Sequence, residues 1–173
     1  MDVNYQAKLY QYALIDCPPN TAPLTRNALR ACDRVLVTVT PNPLAFSGLE
    51  RIIDLVGQVG SATRVESPAV DILACRVRRS RTSPSFLENL RTQFGDSVYE
   101  VTIRECETID ELAAAGRTAM AYDNRTQAAR DYRDLAVQVL TRCQGGPDPS
   151  WRRGRQVAFR HGGESRSSVD SAH

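Results

Sequence analysis

The sequence predicts an α/β fold in which a parallel β-sheet carries helices on both faces. Apolar, β-branched runs of strand length alternate along the chain with segments whose apolar residues recur at helical spacing. The clearest run, VLVTVT, is nearly continuous in its apolar character, as expected of an interior parallel strand. Strands and helices that alternate in this way form a parallel sheet covered by the intervening helices.

The first half of the chain predicts two strands and two helices. QYALID at 11–16 predicts a buried strand that ends at the prolines of CPPN. A helical pattern over 25–31 leads to a second strand at 35–40, VLVTVT. Helical spacing then predicts a crossover helix over 44–59, which we expect the two glycines at 57 and 60 to close.

The second half repeats the alternation. AVDILACRV at 69–77 predicts a strand, and the helix over 83–95 has Ser83 as its predicted cap, with a proline in its first turn and a glycine at its end. SVYEVTI at 97–103 predicts a further strand. Helices are expected around 107–115 and 125–143, and the second of these carries apolar residues on one side.

The composition changes after Cys143. Residues 144–173 are rich in Gly, Pro, Ser and Arg and have almost nothing apolar to bury. We therefore expect one domain over 1–143, followed by a flexible tail over 144–173.

Charge and residue usage exclude several classes of function. The formal net charge of +2 is too small for the field of the whole chain to attract a polyanion, so any nucleic-acid contact is local. Lys8 is the only lysine, which excludes chemistry that needs a second one. Both histidines, His161 and His173, lie in the tail, so neither a Ser/His/Asp nor a Cys/His catalytic site is expected in the domain.

The five cysteines are odd in number and scattered, without a C-x-x-C pair. This usage is typical of a reduced, cytosolic protein and disfavours structural zinc. The amino-terminal residues do not resemble a signal peptide, and no apolar window reaches the ~20 residues of a membrane helix. We expect a soluble, cytoplasmic protein with no membrane span.

Asp16 ends the first predicted strand, and Ala13-Leu14-Ile15-Asp16 has the form of a Walker B element. A carboxylate in that position holds Mg²⁺, usually through water, beside nucleotide phosphates. Many parallel strands also end in an aspartate that only caps the next turn. From these residues alone, both interpretations stay open.

The longer string YALIDCPPNTAPLTRNALRACDRVLVTVTPNPLAFSGLERI resembles the ParA/Soj partition family, relatives of MinD. It has a Walker B strand, then D-x-P-P, a T-x-N-A-L helix and a strand that ends in a proline turn. ILACRVRRSRTS, GDSVYEVTI and GRTAMAYDNRTQAARDYRDLA are similar to later segments of that family, in the same order. The resemblance is continuous over about residues 9–142.

The resemblance implies a P-loop NTPase-type domain that works with Mg-ATP in DNA segregation. It implies Asp16 as a magnesium-site residue and Pro18, Arg76 and Arg104 as nucleotide contacts. It also implies non-specific DNA binding through Arg104, Arg117 and Arg125. A ParB-like protein or a ParA-like homologue is the implied partner, and the implied location is the cytoplasm, with nucleoid association.

The chain departs from the family pattern at the nucleotide site. It contains no G-K-[ST] sequence, and Lys8 has no adjacent glycine, so the phosphate-binding loop and its lysines cannot be assigned. Ile103-Arg104-Glu105 stands where the family has I-P-R, and Arg76 stands where it often has Asn or Thr. Gln127 stands near an expected lysine. We therefore expect an incomplete P-loop domain that does not hydrolyse ATP by itself.

Two hypotheses follow. The chain is a fragment or truncated product of a partition ATPase, or it is a non-catalytic interaction module that pairs with a full-length ParA homologue or binds DNA. In either case, missing strand material predicts exposed apolar surface and low stability. Two further arginine clusters are open to either a phosphate-binding or a merely solvated interpretation: Arg76, Arg78, Arg79 and Arg81, and Arg152, Arg153, Arg155 and Arg160.

Overall fold

The computed structural model describes residues 10–18, 22–42, 44–63, 67–80, 82–118, 120, 123 and 125–144. Helices and strands alternate through these residues. The order is α1 (Pro23–Ala31), β1 (Arg34–Val39), α2 (Ala45–Thr63), β2 (Ala69–Val77), α3 (Ser83–Phe94), a 3-10 turn (Gly95–Ser97), β3 (Ile103–Arg104), α4 (Glu107–Ala114) and α5 (Gln127–Gln144).

The three strands form a parallel sheet in the order β1-β2-β3. β1 is in register with β2 from the Arg34–Ala69 pair to the Val39–Ala74 pair. Because each strand is added on the same side of the previous one, right-handed crossovers place α2 and α3 on one face of the sheet. The predicted α/β class with a parallel sheet is therefore confirmed.

The main core lies between this face of the sheet and helices α2 and α3. Alternate residues of β1 and β2 point into it, and they meet Leu49, Val56 and Leu90 of the two helices. The strand residues of this core are Val35, Val37, Val39, Val70, Ile72 and Ala74. The β-branched composition that predicted the strands thus supplies the buried face.

Helix α5 covers part of the opposite face. Its Leu135 and Val139 pack against Leu73, Tyr99 and Ile103. The helix lies over β2 and β3 and does not cover Leu36 of β1, whose side chain is 43% exposed. Both faces carry helices, as predicted, but the α5 side is only partly covered.

A buried ionic cluster closes the amino edge of the sheet. The carboxylate of Asp71 accepts hydrogen bonds from Arg34 Nε at 2.9 Å, Arg142 at 2.6 Å and the Tyr99 hydroxyl at 3.2 Å. The Arg142 guanidinium also lies 4.0 Å from the centre of the Tyr99 ring. Burial and the neighbouring Asp71 charge raise the pKa of Tyr99 to about 12, so its hydroxyl stays protonated as a donor.

The prediction of a buried strand at 11–16 is wrong. Residues 12–18 have no regular secondary structure, and the Leu14 side chain is 97% exposed. An apolar run becomes a strand only when a neighbouring backbone pairs with it, and no described residue does so here. Asp16 therefore does not stand at the end of a strand.

The strand predicted at 97–103 is mostly wrong as well. Ser97 belongs to the 3-10 turn, Val98 makes an isolated bridge to Ile72, and pairing with β2 returns only at Ile103 and Arg104. The ladder is interrupted because the chain advances five residues from Val98 to Ile103 while β2 advances only three, from Ile72 to Cys75, so the residues in between cannot pair in a continuous register.

The predicted helices occur, with different ends. α2 continues through Gly57 and Gly60 to Thr63, and the residue that precedes α3 is Thr82 rather than Ser83. Tyr132 and Leu140, two of the apolar residues that helical spacing places on one side of α5, are 40% and 41% exposed. Apart from Gln144, the predicted tail lies outside the described residues. Within the described part of the chain, no helix is both long enough and apolar enough to cross a bilayer.

Candidate functional site

The carboxyl ends of the three strands meet at one edge of the sheet, where parallel α/β folds bind their ligands. β2 runs three residues beyond the last β1 pair and is followed by Arg78, and β3 is followed by Glu105. Two of the candidate nucleotide contacts, Arg76 and Arg104, lie here. We describe this edge residue by residue.

Arg76 occupies an unusual backbone conformation. Its φ of 53° is in the left-handed region, at the point where the register between β2 and β3 shifts. This conformation costs a residue other than glycine about 1–3 kcal/mol and persists only where the surrounding structure enforces it. The resulting irregularity changes the direction of the residues that follow, so the Arg76 and Arg78 side chains both remain exposed at the edge.

The Glu105 carboxylate forms ion pairs with both of these arginines. Arg78 pairs with its carboxylate, with a 2.7 Å hydrogen bond from an Arg78 terminal nitrogen to Oε1, and Arg76 approaches the same oxygen to 3.6 Å. The hydrogen bond from Arg78, together with the charges of both arginines, lowers the pKa of Glu105 and keeps it ionised. The edge therefore already contains one anion held between two guanidinium groups.

Arg104 is fixed by the buried carboxylate of Asp131 on α5. Asp131 accepts hydrogen bonds from the Arg104 backbone N–H and side-chain Nε, both at 3.1 Å, and from Gln127 Nε2 at 2.9 Å. Burial by itself would raise the pKa of Asp131, but the hydrogen bonds from Arg104 and Gln127 hold it below its usual value. The Arg104 charge is thus compensated from within the chain, although 47% of its side chain is exposed.

The other two DNA-contact candidates are exposed. Arg117 follows α4, and its backbone N–H donates to the Leu112 carbonyl at 2.8 Å. Arg125 lies two residues before α5, and its backbone N–H donates to the Asp123 carboxylate at 2.8 Å. Arg104 pairs with Asp131 in the first turns of α5, and Arg125 lies just before the first residue of that helix. Both arginines are therefore near the amino-terminal end of α5.

Asp16 and Pro18 lie in the exposed segment 12–18, which has no regular secondary structure. No hydrogen bond or ion pair between described residues joins them to Arg76 or Arg104. The described fold therefore brings together two of the four residues that the resemblance implies for the metal and nucleotide site.

The described residues do not fit a Mg-ATP site by themselves. Their strand order does not reverse, so they form no crevice at a topological switch point. They include no cluster of three or more His, Cys, Asp or Glu side chains placed to hold a metal ion. Asp16 is an exposed carboxylate without a glycine-rich amide cradle beside it.

Sequence reasoning missed the two carboxylates that organise this edge, Glu105 and Asp131. Each pairs with an arginine 27 residues away along the chain, so sequence proximity gave no sign of the pairing. One signal was present for Asp131, because it lies among the apolar residues of α5, two positions after Ala129. A charged residue on the apolar side of a helix needs a partner.

Comparison with known proteins identifies the family. A family model described as an AAA domain matches residues 3–67. The chain is 33% identical over 135 residues to the chromosome partitioning protein ParA of Caulobacter vibrioides, covering 77% of this chain and 50% of that protein. It is 30% identical over 131 residues to the sporulation initiation inhibitor protein Soj of Bacillus subtilis, covering 75% and 52%. The chain belongs to the ParA/Soj family.

A third relative extends the match to another organism. The chromosome partitioning protein ParA of Myxococcus xanthus is 29% identical over 136 residues, which cover 77% of this chain and 47% of that protein. The chain thus spans about half the length of the curated ParA and Soj relatives it matches.

Proposed function

We propose that this chain acts in ParA-type, nucleotide-dependent DNA segregation in the cytoplasm, in association with the nucleoid, and that its 173 residues do not hydrolyse ATP by themselves. The family relationship supports the first statement, because curated relatives carry chromosome partitioning in their names. The second rests on the absence of a phosphate cradle from the sequence.

The observation that carries the second statement is the single lysine. A triphosphate is held by backbone N–H groups of a glycine-rich loop and by an adjacent ammonium group. Lys8 has no neighbouring glycine, and no G-K-[ST] sequence occurs anywhere in the chain. Asp16 alone offers a magnesium ligand without the amides and the cation that neutralise the phosphates.

Turnover of ATP by the purified chain tests this proposal. We expect no Mg-dependent phosphate release above a blank, and at most weak binding of a fluorescent ATP analogue. Asp16→Ala should leave both readouts unchanged. Micromolar ATP binding together with turnover that Asp16→Ala abolishes would refute the proposal and make Asp16 a working magnesium ligand.

For DNA, we propose non-specific phosphate contacts by Arg125 and Arg117, with a smaller contribution from Arg104 because Asp131 already compensates its charge. Arginine contacts to phosphates release counterions, so the affinity falls with salt by ~0.9 in slope for each neutralised phosphate. Arg125→Glu should weaken binding to arbitrary duplex DNA and lower that slope. Binding that is insensitive to salt, or unchanged in Arg125→Glu, would remove the phosphate contact.

A second candidate function is pairing with a ParA-like homologue or a ParB-like partner. The exposed apolar side chains of Tyr10, Leu14 and Ile15 favour it, together with the outer edge of β1, which no described strand pairs. Mixing the chain with a full-length ParA and measuring the mass of the product tests this. Separate elution of the two proteins at all concentrations would exclude pairing with that homologue.

A further inference from the structure

The outer edge of β1 lacks a partner among the described strands, although β1 has the composition of an interior strand. Its sequence is RVLVTV, and β2 pairs with it on one side only. Edge strands are usually protected from other chains by charged side chains, prolines or bulges. β1 contains no proline, and its register with β2 is continuous from Arg34 to Val39. The strand therefore has few of the features that keep an edge from pairing.

The backbone of β1 presents alternate residues to this edge. The Asp33 carbonyl oxygen accepts a hydrogen bond from the Ala69 backbone N–H at 3.0 Å, so the backbone of residue 33 is directed toward β2. Successive residues of a paired strand direct their N–H and C=O groups to opposite sides. The backbone groups of Leu36 and Thr38 therefore face outward, and the side chains of both residues are exposed.

A second copy of β1 can pair with this edge in the antiparallel direction, about a two-fold axis. Matching faces of the two sheets stay together only when residues that are an even number of positions apart lie opposite each other. The register centred on Leu36 meets this condition and places Leu36 opposite Leu36 of the second copy. It also places position 34 opposite position 38, so every outward-facing residue of the strand has an opposite residue within β1.

The neighbouring registers are disfavoured by hydrogen bonds at the two ends of β1. A shift in one direction brings residue 32 opposite the strand, but the Cys32 backbone N–H donates to the Ala28 carbonyl oxygen at 3.1 Å. A shift in the other direction brings residue 40 opposite the strand, but the Thr40 carbonyl oxygen accepts from Asn42 Nδ2 at 3.0 Å. The centred register leaves both of these hydrogen bonds intact.

The charge on β1 does not oppose the centred register. Arg34 is the charged residue of the strand, and its Nε donates to the Asp71 carboxylate at 2.9 Å. In this register it lies opposite Thr38 of the second copy, so no like charges face each other across the axis. The Leu36 side chain, which is 43% exposed, instead gains an apolar neighbour.

We propose that two copies of this chain associate through antiparallel pairing of β1, with the Leu36 side chains in contact at the two-fold axis. The two three-stranded sheets then form one continuous sheet. Six residues from each copy make a small interface, so we expect dissociation in the micromolar range rather than the nanomolar range. The association needs neither nucleotide nor DNA, and a copy paired in this way has no β1 edge left for a ParA-like homologue.

Sedimentation velocity of the full chain over a concentration series tests the surface. Leu36→Lys places two ammonium groups opposite each other at the axis, so it should weaken dimerisation by about ten-fold or more. The matched control is Val137→Lys, which changes a 62% exposed apolar residue of α5 outside β1. This control should dimerise as the unmodified chain does. Circular dichroism spectra establish that both variants are folded.

Cross-linking of single-cysteine substitutions tests the register. Opposite residues that exchange hydrogen bonds in an antiparallel pair have Cα atoms about 5.5 Å apart, within disulfide range, so Leu36→Cys should give a linked dimer under a mild oxidant. The two Thr38 positions lie four residues apart along the strands, or about 13–14 Å, so Thr38→Cys should not. The five native cysteines are present in every variant, and the unmodified chain shows what they link.

Several results would overturn the proposal. The unmodified chain remaining monomeric at every concentration would exclude the dimer, and equal dimerisation of Leu36→Lys and Val137→Lys would exclude β1 as its surface. Thr38→Cys that links as readily as Leu36→Cys would exclude the centred register. A dimer that forms only when ATP or DNA is added would also contradict the proposal, because backbone pairing of two strands requires neither.

Discussion

Asp71 and Asp131 are the fully buried acidic residues of the described chain, and arginines neutralise both. The two aspartates differ in where they lie and in which residues they hold in place. Asp71 joins Arg34, Arg142 and Tyr99 at the amino edge of the sheet, away from the ligand-binding edge. Asp131 holds Arg104 at the carboxyl edge. One cluster serves stability, and the other positions a candidate contact residue.

Replacing Asp71 should destabilise the fold strongly. Asp71→Ala leaves the mostly buried side chains of Arg34 and Arg142 without their anion, and breaking a buried pair in this way costs about 3–5 kcal/mol. The free energy of unfolding in urea measures the loss. Asp96→Ala, at an exposed carboxylate of the 3-10 turn, should change that free energy by less than about 0.5 kcal/mol. Equal effects of the two variants would contradict the stabilising role of the cluster.

Because the pKa of Asp131 is lowered in the folded chain, we expect the fold to lose stability at acid pH. Its pKa is lower in the folded chain than the ~3.9 of an unfolded chain, so it contributes stability above that value. The contribution is lost as the pH falls below about 4 and through the lower folded pKa. The difference in unfolding free energy between the unmodified chain and Asp131→Asn should therefore shrink on acidification. A difference that stays constant down to about pH 2 would show that Asp131 is not the titrating group.

At the scale of elements, α2 shows that a helix can continue past glycines that were expected to end it. Gly57 and Gly60 were expected to close the helix, yet it continues to Thr63 because its apolar side packs on the sheet. The close approach of Ser67 explains why a glycine occupies position 60. A Cβ built on it would lie 1.8 Å from Ser67 Oγ and 2.8 Å from Ser67 Cβ, so the chain before β2 needs the absence of a side chain there.

Two glycines of α2 therefore predict opposite effects of the same substitution. Gly48→Ala places its Cβ in open space and removes the flexibility of glycine, so it should raise the unfolding free energy by about 0.5–1 kcal/mol. Gly60→Ala forces Ser67 to move and should lower it by about 1–3 kcal/mol. Thermal and urea unfolding of the two variants provide the measurement. Changes of the same sign would contradict the close approach of Ser67.

At the scale of the whole molecule, the α5 side of β1 and the segment before α1 leave apolar side chains in water. Tyr10, Leu14, Ile15 and Leu36 are among the exposed large apolar residues. Leu36 lies on a strand whose outer edge no described strand pairs. Exposed apolar surface beside an open sheet edge favours association between chains.

We therefore expect the purified chain to self-associate as its concentration rises. Replacing both Leu14 and Leu36 by Ser should reduce association. Loss of Leu14, which is 97% exposed, should leave the unfolding free energy unchanged, whereas loss of Leu36, which is 43% exposed, should lower it slightly. Sedimentation velocity over a concentration series measures the association. A chain that remains monomeric throughout, or a double variant that associates equally, would show that these residues are not the contact.

The candidate site was predictable only in part. The sequence named Arg76 and Arg104, which the fold brings to one edge of the sheet. It also placed Asp16 at the end of a strand that the described structure does not contain.

The sequence by itself determined what depends on local pattern. β2 begins and ends where predicted, β1 and the helices α3 to α5 lie within one or two residues of their predicted bounds, and the family motifs named the relatives. Tertiary structure decided which apolar runs became strands and which charges met. A strand needs a backbone partner, and an ion pair needs a second charge, here 27, 37 or 71 residues away. Tertiary packing brings residues that far apart in sequence into contact, and a local sequence pattern contains no information about that packing.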